Sequence, residues 1–103
     1  MKNIKNYILE SNKHISDRMF IKALKKYGEI THDDLLKIYG EDYDDNPLTI
    51  QDKPIDSMYV GKGVGLCFAY KENGRDLEYS NQSIEDYEYE DIEPLYNYII
   101  NNG

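Results

Sequence analysis

His32-Asp33-Asp34 is the first place in this chain where side chains of metal-ligand type stand together. An imidazole beside two carboxylates is a donor set for a divalent cation, but binding needs further ligands converging from elsewhere. The other histidine, His14, stands apart in a polar stretch. The three residues also open a helix, where capping and the helix dipole favour acids without any metal. Asp42-Tyr43-Asp44-Asp45-Asn46 places oxygen ligands as a calcium loop begins. Its sixth residue is Pro47 where such a loop needs Gly, and its twelfth is Lys53 where it needs Glu. Gly61-Lys62-Gly63-Val64-Gly65 has the glycines of a phosphate cradle, without the spacing or the Lys-Ser/Thr of a P-loop. It runs into a strand, so glycines that bend a strand, form a bulge or admit close backbone approach are the better reading. The lone Cys67 has no histidine near it in sequence to draw off its proton and reads as a packed thiol. No catalytic, cofactor or metal set emerges, and the expectation is a protein that is not an enzyme.

What remains is charge. Residues 1–40 carry eight Lys or Arg against five Asp or Glu, while residues 41–103 carry four against fifteen. The net charge of −8 therefore arises entirely beyond Gly40. The densest run interleaves carboxylates with tyrosines: Glu85, Asp86, Tyr87, Glu88, Tyr89, Glu90, Asp91 and, after Ile92, Glu93. Such a surface repels nucleic acid and anionic lipid and attracts basic protein surfaces. These eight residues are the candidate partner-binding set, with tyrosine suited to anchor an interface. Eleven of thirteen aromatics are Tyr. Their rings fit a core margin or a contact face equally, and the heavy Asn, Ile and Lys usage fits an AT-rich coding sequence as well.

The elements that must position these residues follow from local grammar. A length of 103 residues with 40% hydrophobic and 31% charged residues describes one folded domain, 1–103. One cysteine permits no internal disulfide, and no stretch reaches the roughly 18 apolar residues of a membrane span. With no signal-peptide pattern after Met1, a cytoplasmic protein is expected. Ile4, Tyr7 and Ile8 predict a helix over 3–11. Ser16 caps a second helix with the stripe Phe20, Ala23, Leu24 and Tyr27, stopped by Gly28. Thr31 caps a third with Leu35, Leu36, Ile38 and Tyr39, stopped by Gly40. The join Gly28-Glu29-Ile30 makes a corner of helix-turn-helix type.

Glu41 to Ser57 is acidic, interrupted by Pro47 and Pro54, and reads as an ordered loop or extended connection. Met58-Tyr59-Val60 and Leu66–Lys71 read as strands. Asn73-Gly74 is a type I′ hairpin turn that pairs Glu72 with Arg75, Lys71 with Asp76, Tyr70 with Leu77 and Phe68 with Tyr79. Residues 84–91 fit a strand or a helix capped by Ser83. Ile92, Leu95, Tyr96 and Ile99 predict a final helix with Pro94 in its first turn. The fold class is α+β: three N-terminal helices on a small antiparallel sheet, then a C-terminal helix. Phe20, Leu24, Leu35 and Phe68 are expected to share one core, with the helices at 17–27 and 32–39 on one face of the hairpin.

The opening Met1-Lys2-Asn3-Ile4-Lys5-Asn6-Tyr7-Ile8-Leu9-Glu10-Ser11 resembles the beginnings of small tailed-phage proteins, particularly from phages of gut Bacteroidetes. The resemblance implies a phage origin and a host-takeover or anti-defence role, and it carries over no fold and no functional residue. The element order also resembles a winged helix. The stretch that would supply its recognition helix, Asp42 to Asp56, is acidic and broken by proline, so duplex DNA binding is not expected. The leading reading is an acidic inhibitor or adaptor docking on a basic surface of a host protein by nucleic-acid mimicry. The alternatives are a helix-turn-helix or winged-helix-like regulator using Lys22, Lys25, Lys26 and Lys37, and a virion or scaffold component assembling through the hairpin.

Overall fold

Two helix caps organise the first half of the chain. The computed structural model describes residues 14–103; the helix expected over 3–11 lies outside the described residues. Helix α1 (Asp17–Tyr27) begins where the Ser16 hydroxyl accepts the Met19 N–H at 3.1 Å and ends where the Gly28 N–H reaches the Leu24 carbonyl at 2.7 Å. Helix α2 (His32–Tyr39) starts in a reciprocal capping box. The Thr31 hydroxyl accepts the Asp34 N–H at 3.2 Å, and the Asp34 carboxylate accepts the Thr31 N–H at 3.0 Å. The stops at Gly28 and Gly40 fall where expected.

The join between these helices differs from a helix-turn-helix corner. Glu29–Ile30 is a strand, β1, pairing Ile30 with Met58. Ile30 is fully buried there, which outweighs any preference for a compact turn. After α2 come a 3-10 helix (Glu41–Asp45) and a small hairpin of β2 (Thr49–Ile50) and β3 (Lys53–Pro54), turned by Gln51 and Asp52 at positive φ. Asp42 to Asp56 thus offers no recognition helix, and the winged-helix likeness ends at this point.

The main sheet is antiparallel in the order β1-β4-β5-β6, with β4 at Ser57–Gly61, β5 at Gly65–Glu72 and β6 at Arg75–Tyr79. All four pairs expected around Asn73-Gly74 are present, and both turn residues have positive φ, 54° and 78°. The glycine-rich stretch is a second hairpin joining β4 to β5 around Lys62-Gly63-Val64. Gly65 admits close approach, since a Cβ there would sit 2.8 Å from the Asn81 side-chain oxygen. Cys67 is fully buried.

Helix α3 (Tyr89–Asn102) is the element whose importance the sequence understated. Ile92, Leu95 and Ile99 are all buried and join Phe20, Leu24, Leu35 and Phe68 in one core. It packs against both α1 and α2, so α2 rests on α3 and the 3-10 helix, while α1 lies on β4. The expectation that both helices cover the sheet fails because α3 supplies apolar mass of its own. The helix also starts earlier than expected, which places Pro94 in its second turn rather than its first. Six tyrosine hydroxyls donate within the described residues, from Tyr39, Tyr43, Tyr59, Tyr87, Tyr89 and Tyr98. This is the core-margin behaviour of an amphipathic ring.

Candidate functional site: an acidic face built from two segments

The run from Ser83 to Glu93 is fixed by groups far away in sequence. The Asp17 carboxylate accepts the Ile84 N–H and the Ser83 hydroxyl, each at 2.8 Å. In return, Glu85 accepts the Asp17 N–H at 3.0 Å, at the amino end of α1. Ile84 is buried, and a turn closes where the Tyr87 N–H meets the Ile84 carbonyl at 3.2 Å. Tyr87 points inward. Its ring meets Phe68 edge-on at 6.0 Å, and its hydroxyl donates to the Thr49 carbonyl at 2.5 Å. Residues 84–88 are therefore neither strand nor helix, because tertiary bonds hold them in a turn.

The eight candidate residues divide accordingly. Glu85 and Tyr87 brace the fold. Tyr89 is half-buried and donates to Glu93 one helical turn on, at 2.9 Å. Asp86, Glu88, Glu90, Asp91 and Glu93 are exposed.

A second acidic segment joins them, and sequence spacing gave no signal of it. The Tyr39 hydroxyl, at the end of α2, donates to the Asp91 carbonyl in the first turn of α3. That bond sets the end of α2 against α3, and exposed Asp42 of the 3-10 helix lines a shared cavity with exposed Asp91. Neither segment contains a Lys or Arg: there is none from residue 38 to 52 or from 76 to 103. A cavity of 150 Å³ opens where the two meet, lined by Tyr39, Asp42, Tyr43, Asn46, Leu48 and Asp91.

The residues that suggested metal chemistry are absorbed into this architecture. His32 turns away from Asp33 and Asp34 and bonds Asp44 at 2.8 Å, pinning the 3-10 helix. Asp34 is buried in the capping box. Among the described residues no three His, Cys, Asp or Glu side chains are grouped to hold a metal. The Asp44 hydrogen bond raises the His32 pKa, against the opposing effect of burial. A raised folded-state pKa means that the pair's contribution is full below about 6.5 and is lost as pH rises through the folded value. At this exposure it is worth about 0.2–1 kcal/mol. Asp44→Asn should move the His32 titration midpoint down toward about 6.5, read from imidazole resonances by NMR.

Elsewhere, Lys22 and Lys26 flank a 400 Å³ groove between α1 and α3, with Met19, Ala23 and Tyr96. Lys25 and Lys37 are exposed but lie outside it. No described helix is long and apolar enough to cross a membrane. No family model, curated protein or solved structure matches this chain.

Proposed function

We propose that this chain is a small non-enzymatic binding protein whose acidic face docks on a basic surface of a partner protein, its carboxylates standing where nucleic-acid phosphates would lie. One observation carries the reading: two acidic segments far apart in sequence meet at a cavity lined by Asp42 and Asp91, and neither segment contains a basic residue. Helix dipoles favour Glu88, Glu90 and Asp91 at the start of α3, but they do not call for Asp86 or Glu93. The phage-like opening of the chain makes a host nucleic-acid-binding or defence protein, met in the host cytosol, the natural partner. Duplex DNA itself would be repelled.

The regulator reading has Lys22, Lys25 and Lys26 on one exposed helix in its favour. Residues 42–56 supply no α-helix to enter a groove, and β1 separates α1 from α2. The scaffold reading has the free edge of β6.

The test neutralises charge while leaving the braces intact: Asp42, Asp45, Asp86, Glu88, Glu90 and Glu93 are replaced by Asn or Gln, and Glu85 and Tyr87 are kept. A partner isolated from host lysate is then measured by biosensor across a salt series. The association rate should fall about tenfold or more at low salt, most of the salt dependence should vanish, and duplex DNA should compete with the unaltered chain for the partner. Unchanged kinetics across the series would reduce the face to a solubilising surface.

A further inference from the structure

We infer that the cavity between the two acidic segments receives one arginine side chain of the partner, a deepening that rests on the docking function proposed above. Its volume is 150 Å³, whereas sites for drug-sized ligands span about 300–1,000 Å³, so it suits one side chain rather than a metabolite. Tyr39 and Tyr43 stack in its wall with centroids 5.6 Å apart and planes at 29°. Both hydroxyls are already committed, Tyr39 to the Asp91 carbonyl and Tyr43 to the Ile55 carbonyl at 2.8 Å. Half-buried Tyr39 therefore offers ring surface, with buried Tyr43 stacked behind it, and Leu48 adds more apolar wall. Asp42 and Asp91 are among the lining residues, and among the described residues neither carboxylate pairs with a Lys or Arg. Asn46 completes the lining.

Carboxylates beside aromatic wall suit a cation with a flat, weakly hydrated face. A guanidinium meets that description, stacking on a ring while its N–H fork donates to carboxylates. A lysine ammonium is a compact, strongly hydrated charge that gains less from ring surface. Two carboxylates disfavour any anion.

The probe is the acetylated, amidated tripeptide Gly-Arg-Gly, titrated into ¹⁵N-labelled protein alongside Gly-Lys-Gly. Shift changes should centre on Asp42, Asn46 and Leu48, with the arginine peptide about fivefold tighter or more. The variant Asp42→Asn/Asp91→Asn should erase that preference. Glu41→Gln/Glu90→Gln removes the same charge from the same face outside the cavity and should weaken both peptides alike. An unchanged amide spectrum away from the cavity controls for folding. Equal affinity for the two peptides, no saturable change at the cavity, or equal effects of the two variants would each overturn the arginine site. The docking function fails separately: it falls if the charge-neutral face leaves partner binding unchanged, whatever the peptides do.

Discussion

Asp34→Ala is expected to cost about 2–4 kcal/mol of folding stability, more than removal of any other single charge among the described residues. Asp34 is only 9% exposed. One carboxylate oxygen accepts the Thr31 N–H at 3.0 Å and closes the capping box of α2; the other accepts the Tyr98 hydroxyl of α3 at 2.9 Å. Tyr27 of α1 packs edge-on against Tyr98 at 5.8 Å, so the carboxylate stands where three helices meet. Alanine would leave a backbone N–H and a phenol without their acceptor. Asn keeps one acceptor oxygen and should cost about half as much.

The acid side provides a second signature. Burial alone would raise the Asp34 pKa, but effects led by the hydrogen bonds from Thr31 and Tyr98 outweigh it and hold the pKa below the ordinary carboxylate range. A depressed folded-state pKa gives stability that is present above about 4 and lost as pH falls through the folded value. Urea denaturation at pH 7 and pH 3 should show a smaller acid loss for Asp34→Ala than for the unaltered chain. Equal losses would show that the carboxylate's bonds contribute nothing to the acid limb.

Tyr87→Ala should cost about 2–3 kcal/mol, because it removes both the ring against Phe68 and the hydroxyl on Thr49. Tyr87→Phe keeps the ring and should cost about 1 kcal/mol. The difference matters for any binding experiment on the acidic run. Loss of binding in Tyr87→Ala would report a loosened turn, whereas Tyr89 tests the surface with less damage below it. Chemical denaturation of both Tyr87 variants checks the ranking, and a stable Tyr87→Ala protein would return Tyr87 to the contact face.

These positions also show where a sequence can be read and where it cannot. Ser16, Thr31, Gly28 and Asn73-Gly74 were legible because each acts on backbone groups within a few residues of itself. The hairpin register followed from one turn and the alternation beside it. Strand β1 was illegible, since two residues between caps become a strand only when Met58 arrives to pair with Ile30. The turn at 84–88 depends on Asp17, and nothing near Ile84 announces that partner. The acidic face was half legible. Composition marked the later run, but tertiary packing, with the bond from Tyr39 to Asp91, sets Asp42 beside it. Helix-start preferences put Pro94 in the first turn, while burial of Ile92 and its N–H bond to the Glu88 carbonyl mark an earlier start.

The tyrosine hydroxyls that fasten this molecule set its alkaline boundary. Tyr39 and Tyr87 have raised pKa values chiefly through burial, as does Tyr43, while Tyr59 and Tyr89 are raised chiefly by their bonds to Glu78 and Glu93. A phenol harder to ionise folded than unfolded stabilises fully below about pH 10, and its contribution drains away as pH climbs through the raised values. Each phenolate also loses the proton that its bond donates. A fold stitched by phenols from α2, the 3-10 helix, the sheet and α3 should therefore come apart in base as one cooperative event, with several fasteners released together.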